Sequence, residues 1–208
     1  LNGFGEGPWG VTAVGTSPVR MDVFLSLLPV PDIVILSITG TPGTGKSSVG
    51  ASLAGKGRTV VELGDLVREH SLYEGIDEVR GSLEVDPEEL AERAPALLPD
   101  GDVVLIGHLS HYIDADLIVV LRCSPSVLRK RLETRGWPPD KVQENVEAEA
   151  LDVILVEAVE TGHETVEVDT TEMTTAQVVA SIEEILAGER KKYEVGHVDW
   201  SQEVMGWY

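Results

Sequence analysis

The segment at residues 37–50, SITGTPGTGKSSVG, holds the residues whose types and spacing most clearly suggest chemistry. Gly40, Gly45, Lys46 and Ser47 match the pattern G-x-x-x-x-G-K-[ST]. Glycine permits positive φ and a close backbone approach, so successive N–H groups can converge on an anion at a helix start. Lys46 would then reach the β- and γ-phosphates, and the Ser47 hydroxyl would ligate Mg²⁺. The segment therefore predicts a binding site for a nucleoside triphosphate with Mg²⁺.

The elements that must position this loop are visible as short apolar runs. Five such runs predict buried parallel strands, because both faces of a parallel sheet are covered. They are IVILSI (33–38), TVVEL (59–63), DVVLI (102–106), LIVVL (117–121) and ETVEV (164–168). Between and after them, helices are predicted at residues 46–54, 64–72, 87–97, 124–135, 141–160 and about 174–188. This alternation predicts an α/β fold, a three-layer P-loop NTPase architecture with a five-stranded parallel sheet.

The pattern also divides the chain. Residues 1–30 are rich in glycine and proline and aperiodic, which predicts an extension or a disordered N-terminus. Residues 31–188 form the predicted domain, and residues 189–208 form a tail without a clear period. The Asp-Trp pair at 199–200 in that tail allows two interpretations, docking on the core or a partner, and a disordered tail.

Charge limits the classes of partner. Thirty-six acidic residues face sixteen basic ones, for a formal net charge of −20. Such a surface repels nucleic acid and anionic membranes unless basic residues are locally concentrated. We interpret it as a surface adapted to high salt, where screening makes dense like charge tolerable, against the alternative of an ordinary acidic cytosolic protein.

Cysteine content and hydropathy indicate a cytoplasmic protein. Cys123 is the single cysteine, which excludes an intrachain disulfide and predicts a small packing residue. The apolar run at residues 23–36 is interrupted by Pro29, Pro31 and Asp32 and falls short of the roughly 20 residues of a spanning helix. No signal-peptide pattern is present, so no membrane association is expected.

Small size and the lack of an N-K-x-D tetrad favour a nucleoside or nucleotide kinase over a motor, helicase or GTPase. Such a kinase needs an acceptor pocket and a mobile lid. The segment GDLVRE begins a helix after the second strand, which predicts an acceptor-binding region at about 64–97. The segment LETRGWPPD places Arg135 before a Gly/Pro hinge, which predicts a lid at about 132–142. A small-molecule kinase, such as a shikimate or cytidylate kinase, stays open.

Four segments together resemble one family. GTPGTGKS, GDLVRE with LYEGIDE, VVLRCSPSVLRKRLETRGW and DKVQENVEAEALDVILVEA are similar to the adenylate kinase isoenzyme 6 family. Its eukaryotic members are called coilin-interacting nuclear ATPases, and its archaeal members are described as adenylate kinases. The resemblance covers about residues 33–186, and with the acidic composition it suggests a haloarchaeal member.

The resemblance implies a nucleoside monophosphate kinase-like fold with a core, an acceptor-binding region and a short lid. It implies transfer of phosphate from ATP to AMP with Mg²⁺ as cofactor, and ATPase activity. It further implies a role in small ribosomal subunit maturation, with a small-subunit ribosomal protein and pre-rRNA as partners. The alternative is a nucleotide-switched ribosome assembly factor with little kinase turnover.

Site residues follow from the same resemblance. Arg68 matches the position that meets the acceptor phosphate, Arg135 matches the lid arginine, and His108 matches a histidine near the phosphates. Lys46, Arg135 and His108 are the implied catalytic residues, and Ser47 is the implied metal ligand through its hydroxyl. The implied phosphate contacts in the loop are Gly43, Thr44, Gly45, Lys46, Ser47 and Ser48.

One position departs from the family pattern. Members usually carry an acidic residue two positions before the histidine, which acts on Mg²⁺ through water, and this chain has Ile106 there. Asp114 or Asp116 could substitute, or Mg²⁺ could rely on Ser47, phosphates and water.

Several other side chains carry two readings each. His111 could act at the site or cap its loop, and Trp137 could stack on a base or wedge the hinge. Asp65 could position the acceptor or cap a helix. Arg122, Arg129 and Arg131 could reach phosphates or pair with surface acids.

Overall fold

The computed structural model describes residues 34–77 and 82–207. The strands are β1 (Ile35–Thr39), β2 (Thr59–Glu62), β3 (Gly75–Asp77), β4 (Ser82–Glu84), β5 (Val103–Ile106), β6 (Leu117–Arg122) and β7 (Thr165–Asp169). The first helices are α1 (Lys46–Gly55), α2 (Leu63–Glu69), α3 (Pro87–Arg93) and α4 (Pro125–Thr134). The others are α5 (Pro139–Ala150), α6 (Val153–Glu160), α7 (Thr175–Leu186) and α8 (Ser201–Met205). The predicted extension at residues 1–30 lies outside the described residues.

Five strands form one parallel sheet in the order β2-β5-β1-β6-β7. The predicted five-stranded parallel sheet is therefore confirmed. β5 and β6 are buried along their whole length, which explains why their sequences are uninterrupted apolar runs. β1 lies between β5 and β6, so the loop after β1 opens at the point where the chain reverses its direction across the sheet.

Helices cover both faces of the sheet. On one face, α1 and α7 pack against β1, β6 and β7 through a large apolar cluster that includes Leu53, Val119 and Ile182. On the other face, a second cluster joins α2 and α3 to β5 and includes Leu66, Leu90 and Leu105. A third, smaller cluster packs α6 against β6. The sheet therefore forms the middle of three layers, as the sequence predicts.

The predicted helix at 141–160 is wrong as a single element. The structure divides it into α5 and α6, with Asp152 between them in the left-handed conformation (φ +57°). The Asp152 carboxylate accepts a hydrogen bond from Arg122 Nη2. The sequence hides the break because no Gly or Pro marks it and the apolar spacing continues across it.

A short antiparallel hairpin, β3–β4, lies where the sequence indicates only a loop, with Gly75 opposite Glu84 and Ile76 opposite Leu83. Each strand has three residues and alternates between partly buried and exposed positions. Runs this short fall below the length at which strand periodicity can be recognised.

The tail after α7 contacts the core. Val166 of β7 forms an antiparallel bridge with Glu194, and Trp200 Nε1 donates to Glu149 Oε1 over 3.2 Å. Of the two interpretations of the Asp-Trp pair, the structure thus favours docking on the core. In the part of the chain that the structure describes, no helix has both the length and the apolar character needed to cross a membrane.

Cys123 lies fully buried in an apolar cluster with Leu128, Leu132 and Val146. Burial raises the pKa of its thiol to about 12. We expect the native protein to resist a water-soluble thiol reagent at pH 8 and to react fully once unfolded in urea, because only the exposed thiol ionises appreciably at that pH. Mass spectrometry after timed labelling measures this, and rapid modification of the folded protein would contradict the burial of Cys123.

Candidate active site

The loop between β1 and α1 has the backbone conformation that its glycines predict. Gly40 has φ +133°, and a Cβ atom there would lie 2.3 Å from the Leu121 carbonyl oxygen. Gly45 has φ +109° and begins α1 without a side chain that could cap the helix. The Thr44 hydroxyl donates to the Thr41 carbonyl over 2.9 Å and closes the turn. The first turn of α1 therefore presents backbone N–H groups that can bind an anion.

Lys46 extends over this loop. Its Nζ donates to the carbonyl oxygens of Gly40, over 2.5 Å, and Thr41, over 3.0 Å. Burial lowers the pKa of Lys46 to about 8, while the carboxylates of Glu149 and Glu62 act in the opposite direction. The ammonium group is thus held where the loop amides converge.

A buried carboxylate holds the loop from behind. Glu149 on α5 is 2% exposed, and its Oε2 accepts a hydrogen bond from the Thr41 hydroxyl over 2.5 Å. Its Oε1 accepts bonds from Arg122 Nε over 2.8 Å, from the Cys123 amide over 3.1 Å and from Trp200 Nε1. One carboxylate therefore connects the loop, the end of β6, α5 and the tail.

Arg122 is the cation of this network. It is 1% exposed, and its Nη1 donates to Glu167 Oε2 over 2.9 Å, in addition to its bonds with Glu149 and Asp152. The Trp200 ring lies 5.8 Å from the guanidinium carbon. Of the two readings of Arg122, the structure favours pairing with acids. Glu149 and Glu167 are buried, and Asp152 is partly exposed.

Three cavities lie at the loop or next to it. The α4–α7 cavity, about 480 Å³, is lined among others by Val127, Arg131, Thr170, Met173 and Val178. The loop cavity, about 240 Å³, is lined by Pro42, Gly43, Gly45, Lys46, Ser47, Ser48, Glu62, Gly64, Gly107, His108 and Arg135. The hairpin cavity, also about 240 Å³, is lined by Leu63, Gly64, Val67, Arg68, Ser82, Leu83, Val85, Gly107, His108 and Leu109.

Shared lining residues make these cavities neighbours. Gly43, Gly45, Ser48 and Arg135 line both the α4–α7 cavity and the loop cavity. Gly64, Gly107 and His108 line both the loop cavity and the hairpin cavity. The three cavities therefore lie side by side at the carboxyl ends of the strands, with the loop cavity between the other two, and we call this row of cavities the cleft.

The site residues named from the sequence lie along this cleft. Gly43, Gly45, Lys46, Ser47, Ser48, His108 and Arg135 line the loop cavity, and Thr44 lines the α4–α7 cavity. Arg68 lines the hairpin cavity, where its Nη2 donates to Asp65 Oδ1 over 2.6 Å. Asp65 therefore pairs with the arginine beside it.

The two histidines have different environments. His108 is accessible from the cleft, and partial desolvation there, followed by the Lys46 charge, lowers its pKa to about 4. His111 is fully buried, lies 3.0 Å from the Thr39 hydroxyl through Nδ1, and has its pKa lowered to about 4 by burial and then by His108. Both rings are neutral at pH 7, and of the two only His108 can meet a ligand in the cleft.

Arg129 and Arg131 also differ in whether they face the cleft. Arg129 Nη2 donates to the Gln143 amide oxygen over 2.6 Å on the surface. Arg131 Nη2 donates to the carbonyl oxygens of Thr170 and Thr171 and lines the α4–α7 cavity. Trp137 packs at the edge of the cluster around Leu132, with Lys141 Nζ 4.6 Å from its ring centre, which favours the structural reading.

Sequence reasoning missed Glu62, the last residue of β2. Its carboxylate lines the loop cavity, where it interacts with the Ser47 hydroxyl. Desolvation, then the charge of Asp65, raises the pKa of Glu62, while Ser47 and Lys46 counteract this. The available signal was an acidic residue at the carboxyl end of a strand in a parallel sheet, where ligands bind.

Asp114 and Asp116 cannot replace the missing acid at position 106. Asp116 Oδ2 accepts hydrogen bonds from the amides of Val34, over 3.0 Å, and Ile35, over 2.8 Å, at the start of β1. Asp114 lies 3.5 Å from His163, just before β7 begins. Both aspartates are therefore at the amino ends of the strands, roughly 15 Å or more from the loop at about 3.3 Å per strand residue.

The donor atoms near the loop fit Mg²⁺, which prefers oxygen ligands and retains several waters beside substrate phosphates. Ser47 supplies a hydroxyl and Glu62 a carboxylate. Within residues 34–77 and 82–207, no three His, Cys, Asp or Glu side chains cluster so that they could hold a metal ion alone.

The sheet order and the loop at its centre define a P-loop kinase fold. The shikimate kinase of Acinetobacter baumannii superposes with a TM-score of 0.55 at 14% identity, over 76% of this chain and 96% of that one. A shikimate kinase from Bacteroides thetaiotaomicron gives a TM-score of 0.50 at 18% identity, over 75% and 99%. At these identities the likeness concerns the fold alone.

Sequence comparison identifies the family to which the chain belongs. A family model described as an AAA domain matches residues 36–152. Proteins named "Putative adenylate kinase" are 44% identical in Archaeoglobus fulgidus, over 82% of this chain and 94% of the relative, and 45% identical in Pyrococcus furiosus, over 81% and 92%. A protein of the same name from Natronomonas pharaonis is 44% identical over 80% and 98%. The chain belongs to this archaeal family.

Proposed function

We propose that the chain is a nucleotide kinase that transfers the γ-phosphoryl group of ATP to AMP, with Mg²⁺ as cofactor. The observation that supports this most strongly is the row of adjacent cavities, in which two cavities flank the loop cavity that Lys46 lines. A phosphoryl transfer between two nucleotides needs this arrangement, with a donor on one side of the loop and an acceptor on the other.

The α4–α7 cavity is the proposed donor-base site. Val127, Met173 and Val178 offer apolar contacts to an adenine ring, and Arg131 and Arg135 lie where ribose and phosphates would follow. The hairpin cavity is the proposed acceptor site, within the region at 64–97. Leu63, Val67, Leu83 and Val85 line it, and Arg68 would meet the acceptor phosphate.

In the proposed reaction, an oxygen of the AMP phosphate attacks the γ-phosphorus, and the bond to the β–γ bridging oxygen breaks. Lys46 and Arg135 stabilise charge on the transferred group, and neutral His108 contacts the phosphates without adding charge. Mg²⁺, when bound with ATP, would neutralise phosphate charge and orient the β- and γ-oxygens. Closure of a lid at 132–142 would bring Arg135 inward and exclude water.

A panel of acceptors tests this function. Purified protein in molar KCl, chosen because of the −20 net charge, is given Mg–ATP with AMP, CMP, UMP, GMP, shikimate or no acceptor. We expect the fastest ADP formation with AMP and slow ATP hydrolysis without an acceptor. Faster turnover with shikimate, or no acceptor-dependent turnover at all, would contradict the proposal.

Arg68→Ala is expected to raise KM for AMP about ten- to hundredfold while KM for ATP stays close to the wild-type value. The reason is that a charged hydrogen bond to phosphate contributes about 1.5–3 kcal/mol, and Arg68 lines the hairpin cavity but neither the loop cavity nor the α4–α7 cavity. Initial rates at varied AMP measure this, with Arg93→Ala as the control, since Arg93 is exposed and pairs with Glu89 on α3. Equal KM values for AMP in the two variants would contradict the placement of Arg68 in the acceptor site.

The resemblance to the isoenzyme 6 family supports a second candidate, a nucleotide-switched assembly factor for the small ribosomal subunit. The net charge of −20 suits a basic ribosomal protein as partner. Pull-down with tagged protein from a native lysate, with and without ATP, tests it. Recovery of a small-subunit ribosomal protein in one nucleotide state is expected, and its absence in both states would reject this candidate.

A further inference from the structure

The parallel pairing of β2 with β5 places Glu62 directly beside Ile106. Each is the last residue of its strand, at the end of the sheet that faces the loop. Residues in register on neighbouring strands lie about 4.8 Å apart and direct their side chains to the same face. Position 106, where the resemblance implies an acid, therefore holds an isoleucine with an acid immediately next to it.

The surroundings of Gly50 on α1 show that both side chains reach the same place. A Cβ atom at Gly50 would lie 2.3 Å from Ile106 Cδ1 and 3.6 Å from Glu62 Oε1. Gly50 follows Ser47 by three residues, so these positions lie on one face of the helix. A carboxylate oxygen of Glu62 is thus present next to the position of the Ile106 side chain.

The two side chains differ in access to the cleft. Ile106 is fully buried in the apolar cluster between α1 and the sheet. Glu62 is half-buried, lines the loop cavity together with Lys46 and Ser47, and interacts with the Ser47 hydroxyl. Of the two positions, only Glu62 can offer an oxygen to a cation bound at Ser47.

We propose that Glu62 supplies the carboxylate for the Mg²⁺ of this site, in place of the acid missing at position 106. This inference rests on the proposed function, because the cation would arrive with the nucleotide. Glu62 lies on the strand next to position 106, and its carboxylate oxygen lies beside α1 near Ser47. The metal site therefore consists of the Ser47 hydroxyl, the Glu62 carboxylate, nucleotide phosphates and water.

Binding of Mn²⁺ in the presence of AMP-PNP, an ATP analogue whose γ-phosphoryl group is not transferred, tests this without any turnover, by electron paramagnetic resonance of free Mn²⁺. The isosteric variant Glu62→Gln is expected to weaken Mn²⁺ binding about tenfold or more, the usual effect of removing a group that supports a metal site. Glu69→Gln, which makes the same charge change at an exposed position on α2, is the control and should match the wild type. A second variant, Glu62→Gln with Ile106→Asp, should regain Mn²⁺ affinity where thermal melting shows that it folds.

ADP binding in EDTA separates this inference from the function on which it rests. If wild-type protein and Glu62→Gln bind metal-free ADP equally and Mn²⁺ affinity falls only in Glu62→Gln, the proposal stands. If ADP binds but Glu62→Gln keeps wild-type Mn²⁺ affinity, Glu62 is not the metal carboxylate and the kinase proposal is unaffected. If the wild-type protein binds neither ADP in EDTA nor AMP-PNP with Mn²⁺, the metal-site proposal and the kinase proposal are both overturned.

Discussion

Replacing Lys46 by alanine is expected to lower kcat/KM for ATP by about 10²- to 10³-fold, the usual effect of removing one preorganised charge that stabilises a phosphoryl transition state. The ammonium group lies where the loop amides converge and is held there by the carbonyls of Gly40 and Thr41. No other lysine lines the loop cavity among the described residues, so its charge has no substitute of the same kind. Initial rates of ADP formation with Mg–ATP and AMP measure the loss.

Lys56→Ala provides the matched control for Lys46→Ala. Lys56 follows α1 directly, is exposed and pairs with Glu183 over 2.6 Å. Its removal makes the same change of net charge close to the same helix, so long-range electrostatics change similarly while the loop stays intact. Wild-type turnover in Lys46→Ala, or equal losses in both variants, would contradict the role given to Lys46.

The second large effect is expected in stability, at Glu149. Glu149→Ala should lower the free energy of unfolding by about 3–5 kcal/mol, because it leaves several buried donors without an acceptor at about 1–3 kcal/mol each, although Arg122 keeps its pairs with Glu167 and Asp152. Arg122 would lose its Nε acceptor, and the Thr41 hydroxyl and Trp200 would lose theirs. Urea unfolding followed by circular dichroism measures the change.

Glu147→Ala on the same helix is the control for Glu149→Ala. Glu147 is exposed, and its side chain accepts a bond from Gln143 one turn earlier. We expect a change within about 0.5 kcal/mol, as is usual for surface positions. Similar destabilisation by the two substitutions would mean that the Arg122 network contributes no more than a surface contact.

Much of the fold could be predicted because its signals are local. β5 and β6 are apolar along their whole length, since helices cover both faces of a parallel sheet, and this pattern is visible without tertiary information. The loop was equally clear, because Gly40 and Gly45 are required by backbone conformation and Lys46 by charge. These residues could be placed in one site from spacing alone.

Features that depend on contacts between distant segments could not be predicted. The break at Asp152 is stabilised by Arg122, thirty residues earlier, so the helical spacing around it gives no warning. Glu62 reaches the site only because β2 lies beside β5 in register. The order of strands in the sheet cannot be inferred from the sequence of either strand. The sequence left open whether Trp200 docks on the core, because its partner Glu149 lies on α5, far away along the chain.

The most direct test of the central claim, that the loop at residues 40–47 binds the phosphate tail of a nucleotide, is calorimetric titration in high salt with Mg²⁺. ATP and adenosine are titrated in turn into the wild-type protein. We predict one ATP per chain at the loop and a much weaker affinity for adenosine, because the loop amides and Lys46 contact phosphates rather than the base. Absence of heat with ATP, or equal affinities for ATP and adenosine, would contradict the account.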